Sequence, residues 1–243
     1  MKCFKSIMFA MTLLAAFSCN KVQVVGSGQV SFDVQSNQDV FEVTRSNVSD
    51  YTALPSKGDF TISVLDASAA SVYSGPLSGW DATTQLPSGN YSVKASYGSL
   101  EDEGFDKPYF YGSANFAVTG GNTVTVSVPV SLGNTIVKVS CTENFSNYYK
   151  DYTFRIVRST AVLATFVKGE TKAAFVDGYR FTIEGELVSE TGTKTFSKEY
   201  TNLNEATAYT FQFDAANVGG SAITVSFNDT VETIELGDVE INE

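Results

Sequence analysis

Phe116-Ala-Val118-Thr-Gly120-Gly121-Asn122-Thr-Val124-Thr-Val126-Ser-Val128-Pro129-Val130 decides the fold class. Apolar residues recur at every second position on both sides of Gly120-Gly121-Asn122. A strand sends successive side chains to opposite faces, so this alternation fits strands with one face on a core. Valine favours that backbone, and the glycine-rich turn between two such runs predicts a β-hairpin. Pro129 has no N–H to give to a ladder, which predicts a sheet edge or a strand end.

The same period extends in both directions. Before the hairpin it carries Val30, Phe32 and Val34, then Phe60, Ile62 and Val64, then Tyr91, Val93 and Ala95. Beyond the punctuation at Ser131 to Asn134 it carries Val137, Val139 and Cys141, then Tyr152, Phe154 and Ile156, then Tyr179, Phe181 and Ile183. Phe196 and Tyr200, Tyr209 to Phe213, Ile223 to Phe227 and a last run from Val231 to Ile241 complete it. Phe145, Tyr148, Tyr149 and Tyr152 are instead spaced as on one helix face, predicting a short helix near 143–151. Leu86-Pro-Ser-Gly-Asn-Tyr91 and Leu203-Asn-Glu-Ala-Thr-Ala-Tyr209 both place a leucine and a polar turn before a strand-opening tyrosine. The expectation is an all-β chain of two tandem antiparallel β-sandwich domains, 29–132 and 133–243. One fused sandwich is the alternative.

The first residues have their own pattern. Lys2 and Lys5 precede the apolar run Ile7 to Phe17, which small residues at Ala16 and Ser18 close. That is the layout of a secretory signal, here 1–18, and the run is about half of the ~20 residues a spanning helix needs. Ala16-Phe17-Ser18-Cys19 resembles a bacterial lipobox, which implies a diacylglycerol on Cys19 and an acylated tether over 19–28. The implied location is the cell outer membrane, lipid-anchored, with the surface and periplasmic faces both open. Losing Lys2 and Lys5 takes the basic residues from 16 to 14 against 27 acids, and the net charge from −11 to −13. Such a polyanion lacks the basic patches that nucleic acid requires. Of three cysteines, Cys3 leaves with the signal and Cys19 is acylated; Cys141 continues a period-two run, as a small core residue does. The chain has no histidine, which excludes Ser-His-Asp and Cys-His catalysis and the usual histidine-bearing metal sites. No cofactor is implied.

Leu86-Pro-Ser-Gly-Asn-Tyr-Ser-Val93 resembles a phrase of transthyretin-like sandwich modules. Ser96 to Tyr109, Val130 to Val137 and Thr171 to Tyr179 resemble an uncharacterised lipoprotein family of the Bacteroidales, akin to the fimbrillins. The resemblance runs from about Gly28 to Glu243. It implies a pilus subunit or anchor of two transthyretin-like domains, with other fimbrillin-like subunits as partners. In such pilins an arginine-specific protease removes the first strand, and a neighbour's strand fills the groove by β-augmentation. The only arginine before Arg155 is Arg45, the candidate processing site. Val231, Ile234, Leu236, Val239 and Ile241 form the candidate donor strand, a plain last strand being the other reading. The acidic run usual behind the acylated cysteine of surface lipoproteins is replaced by Asn20-Lys21-Val22-Gln23.

Three further features bear on ligands. Trp80, Tyr109 and Tyr111 are candidate ligand-facing aromatics, suited to stacking on a glycan or covering a host or envelope protein. Glu101, Asp102, Glu103 and Asp106 crowd four carboxylates into six residues, a weak calcium candidate without EF-hand spacing or a solvated loop. Asp229-Thr230-Val231 fits a short O-glycosylation pattern of exported proteins. The functional expectation is a non-enzymatic envelope lipoprotein, structural or adhesive. The rivals are a monomeric glycan- or protein-binding lipoprotein and, remotely, a carboxylate-based glycoside hydrolase.

Overall fold

The computed structural model describes residues 26–40, 46–215, 222–227, 230–235 and 237–238. The chain is all-β with one α-helix among the described residues, and its sheets pack as sandwiches. In the first half, strands Ser71–Pro76, Thr61–Asp66, Gly89–Tyr97 and Phe110–Val118 form one antiparallel layer in that order. The facing layer has Ser27–Ser36 in the middle, parallel to Thr123–Leu132 and antiparallel to Gln85–Pro87. Val30, Val34, Val126 and Val128 of this layer close on Ile62, Val64, Val93 and Ala95 of the other, all buried.

The arms of the expected hairpin, Phe110–Val118 and Thr123–Leu132, pair only at their far ends, from Gly112↔Val130 to Phe110↔Leu132. Beside the turn they belong to opposite layers, Val118 opposite Gly89 and Thr123 opposite Gln29. The connection is therefore an arch across the core, and the hairpin expectation is corrected. Burial drives the separation: Phe116 and Val124 pack into the first core instead of lying across a ladder. Pro129 sits in an interior strand, where its partner changes. Gln35 lies opposite it on one side, and the pairing on the other side begins only at Val130. Its missing N–H thus falls at the gap rather than at an edge or an end.

The second half repeats this topology. Ala161–Val167, Asp151–Arg158, Arg180–Ser189 and Gly192–Thr201 form one antiparallel layer. Opposite it, Thr135–Cys141 lies between Ala174–Val176, antiparallel, and Ala208–Ala215, parallel. Ala222–Phe227 and Thr230–Glu235 extend that sheet. Two parallel pairs thus interrupt the expected antiparallel order, one per half. In each, chain that crosses the opposite layer separates the two strands, and such a crossover is what parallel pairing requires.

The core of the second half is aromatic, with Phe145, Phe154, Phe166, Phe181, Phe211 and Phe213 all essentially inaccessible. The helix spans Glu143–Tyr148, shorter than the spacing suggested. Thr142 caps it by accepting from the Phe145 N–H at 3.1 Å. Lys150 N–H already donates to Val188 O at 2.8 Å, so the backbone has turned into the sheet before Tyr152. The Leu86–Tyr91 and Leu203–Tyr209 phrases open strands that are not counterparts, since the counterpart of Gly89–Tyr97 is Arg180–Ser189. Their shared feature is local. The Tyr91 hydroxyl donates to Pro87 O at 2.8 Å, and the Tyr209 hydroxyl accepts from Asn204 N–H at 3.1 Å.

Candidate functional site

The first strand, Ser27–Ser36, is held by backbone pairing and by Val30, Phe32 and Val34, which share its inner face. Val30 and Val34 are buried in the first core, and the ladder to Thr123–Leu132 runs from Gln29 to Ser36. Gln85–Pro87 covers its other side only over Ser27 to Gln29. There the Trp80 indole donates to Val30 O at 2.8 Å, and Lys57 Nζ meets Asp33 Oδ1 at 2.5 Å. The Lys57 hydrogen bond lowers the Asp33 carboxyl below its ordinary range. Val40 pairs with Ser46; Arg45 lies outside the described residues, as does Cys19.

The acidic loop does not converge on a cation. Asp102 pairs with Lys107 at 3.0 Å and Asp106 with Lys172 at 2.8 Å. The Glu103 side chain is only 4 % exposed, and it takes Arg158 and the Asp177 N–H. Burial pushes the Glu103 carboxyl up, while the Asp177 N–H and then Arg158 pull it back. No cluster of three or more metal-ligating side chains occurs among the described residues. Gly104–Phe105 adds to the edge of Ala174–Val176, and Phe105 meets Phe166 edge-on at 5.0 Å. The loop is a clamp between the two halves. Sequence reasoning missed it because Arg158 lies 55 residues from Glu103, with no local signal at either end.

The three aromatics do not gather into one platform. Trp80 is half-buried, edge-on to Phe32 at 5.1 Å and to Tyr73 at 5.2 Å. Tyr109 and Tyr111 stack on each other at 5.4 Å, beside Gly133, where an added Cβ would meet Tyr109 Cδ1 at 2.7 Å. Tyr111 is 44 % exposed and its hydroxyl donates to Glu205 at 2.9 Å. Asn134 accepts from the Tyr109 N–H at 2.5 Å, so this pair straps the joint. Cys141 is half-buried and free, and burial pushes its thiol up to about 11, away from the thiolate a nucleophile needs.

Val231 and Ile234 of the candidate donor strand lie in Thr230–Glu235, the outermost strand of its sheet, with Ile234 opposite Ile223. Leu236, Val239 and Ile241 lie outside the described residues, as does Asp229. No described helix is long and apolar enough to cross a membrane.

Residues 26–243 match the family described as Domain of unknown function (DUF4493), and the chain belongs to that family. No curated protein matches it. Among solved structures it is similar to a candidate polysaccharide binding protein from Bacteroides thetaiotaomicron, at 14 % identity and TM-score 0.45, covering 86 % of this chain and 98 % of that one. A fimbrial assembly protein from Parabacteroides distasonis shows 8 % identity and TM-score 0.45, over 72 % and 90 %. A candidate cell adhesion protein from Bacteroides ovatus shows 13 % identity and TM-score 0.43, over 91 % and 100 %.

Proposed function

We propose that the protein is a non-enzymatic envelope lipoprotein, first acylated at Cys19 and anchored in the outer membrane, that joins a surface assembly by strand exchange once the segment ahead of Ser46, lipid included, is removed. Its two sandwich domains meet at the 132/133 joint. The observation that carries the reading is the first strand, which lies in the middle of one layer with Val30 and Val34 buried against the other. Arg45 follows it, the only arginine before Arg155. Cleavage after Arg45 frees Ser27–Ser36, uncovers one backbone edge of Thr123–Leu132 and leaves the Trp80 indole without Val30 O. An extended segment from a second fimbrillin-like subunit then restores the ladder and places its alternate side chains where Val30 and Val34 were.

Intact-mass and N-terminal analysis of the protein from its native membrane tests this. A mature N-terminus at Ser46 is the expected result for an assembling subunit. A diacyl or triacyl mass on Cys19 with the first strand retained keeps the anchor and removes strand exchange. An unacylated N-terminus at another small residue overturns the localisation as well.

A further inference from the structure

A cleft of about 670 Å³ lies on the first half, away from the first strand's seam and the clamp. It sits beside the turn that follows Asp66, along the paired strands Gly89–Tyr97 and Phe110–Val118. Ser92 is opposite Asn115 and Asn90 is opposite Ala117, so these four share the outer face. Tyr91, between them, is buried, and Phe116 packs against the first core. Ser92 and Ala117 are small and leave a depression. Asn90 and Asn115 stand diagonally across it, roughly 7–8 Å apart by strand geometry. Neither amide has a partner among the described residues. Each offers two donors and an acceptor.

The rim carries a fixed acceptor. Asp66 Oδ1 accepts from Ser68 N–H at 2.8 Å, Ser68 Oγ at 2.7 Å and Ala70 N–H at 2.9 Å. All three bonds end on Oδ1, which leaves Oδ2 uncommitted. The Ser68 hydroxyl foremost, with the Ala70 N–H, holds the carboxyl below its ordinary range, so it is ionised at neutral pH. No lysine or arginine lines the cleft, and an anion there would face Asp66 without a counter-charge. An added peptide strand would pair along the edge of Phe110–Val118 beyond Gly112, where the ladder to Thr123–Leu132 ends, in the plane of the sheet and not on the outer face that Asn90 and Asn115 share. The chemistry left is that of a neutral ligand rich in adjacent hydroxyls.

We propose that this cleft binds a neutral oligosaccharide, with Asn90 and Asn115 each bridging hydroxyls and Asp66 Oδ2 accepting from another. The inference stands apart from strand exchange, since the cleft lies on the layer opposite the first strand. Titration calorimetry of the folded protein tests it, using short oligomers of glucose, mannose, galactose, xylose and N-acetylglucosamine, with heparin and polygalacturonate as anionic probes. The expected result is binding to at least one neutral oligomer, weakened about tenfold or more in N90A/N115A, as loss of one or two hydrogen bonds implies. Ala117→Trp, which fills the depression from an exposed position, should abolish the same binding while the melting temperature is unchanged. Binding that survives both variants overturns the assignment, as does binding only to the anionic probes. Binding lost instead in Tyr111→Ala moves the site to the joint. The absence of binding to every neutral oligomer also overturns it.

Discussion

The two halves run the same strand plan with different cores and different first strands. The first half packs valines between layers that one strand, Thr123–Leu132, stitches into a single folded sheet. The second packs phenylalanines between two separate sheets, with Phe154 stacked on Phe213 at 4.4 Å. The first strand of the second half, Thr135–Cys141, is continuous with the joint, where Asn134 and Thr135 are fully buried. Its counterpart in the first half, Ser27–Ser36, lies ahead of both sheets' other strands in the chain. One plan therefore yields a first strand at the joint between the halves and a first strand that precedes both of them. In the strand exchange proposed above, position in the chain rather than topology selects which of the two strands leaves.

The sharpest test of that contrast is a large-to-small change in each core. Phe154→Ala should cost about 3–5 kcal/mol, and Val128→Ala about 2 kcal/mol, because the ring leaves the larger cavity. Trp80 is the only tryptophan and lies in the first half, so its fluorescence follows that half while far-ultraviolet circular dichroism follows both. If Phe154→Ala shifts the urea midpoint of both signals together, the clamp makes the halves one cooperative unit. If the Trp80 transition stays in place, the halves unfold separately and the boundary at 132/133 is a true domain boundary.

The clamp itself comes next. Glu103→Ala leaves Arg158 and the Asp177 N–H without their carboxylate and should cost about 2–3 kcal/mol, discounted because Arg158 is partly exposed. Burial raises the Glu103 carboxyl above its ordinary 4.5, so between 4.5 and the raised value the folded state binds more protons than the unfolded one. Stability from this group therefore falls as pH rises through that window and levels off above it. Glu103→Gln, which keeps an acceptor for the Asp177 N–H, should flatten that slope in urea titrations across the acid range. A slope of opposite sign in the parent protein would mean that Arg158 outweighs burial.

Alternation was enough to read the all-β class, because period two in Val124 to Val130 or Phe154 to Ile156 marks a half-buried strand wherever it pairs. It did not show which strand pairs with which. Val118 and Val124 flank a turn in either a hairpin or an arch, and only the packing of Phe116 and Val124 into the core separates the two. The helix shortened because Tyr152 satisfies a helical spacing of seven and a strand spacing of two at once. Glu103 was indistinguishable from Glu101 and Asp102 in a run of carboxylates, its difference being a cation far away in sequence. Asn90 and Asn115 carried no signal either, since outward polar residues are what any solvated sheet face shows.

Gly133 marks the smaller end of the scale. Gly133→Ala brings a methyl within 2.7–2.9 Å of Tyr109 and Tyr111, and the ring pair must shift. The expected cost is about 1–2 kcal/mol, in the range of overpacked sites, read as a lower melting temperature. Gly133→Ala combined with Tyr111→Ala should recover part of it, because the second change removes one of the rings in the way. If the pair is additive, the strain is in the backbone rather than in the rings.

The smallest expected effect discriminates most finely between strap and ornament. Asp106 and Lys172 join the halves at 2.8 Å across the surface, each more than half exposed. Their hydrogen bond lowers the Asp106 carboxyl and raises the Lys172 ammonium. Exposed pairs contribute little and weaken with salt, so Lys172→Ala should move the urea midpoint barely at all. The neighbouring Phe105 contact is apolar and salt-indifferent. Phe105→Ala should therefore exceed Lys172→Ala at every ionic strength. If Lys172→Ala instead separates the Trp80 transition from the rest at low salt, charge rather than the Gly104–Phe105 edge pairing couples the halves.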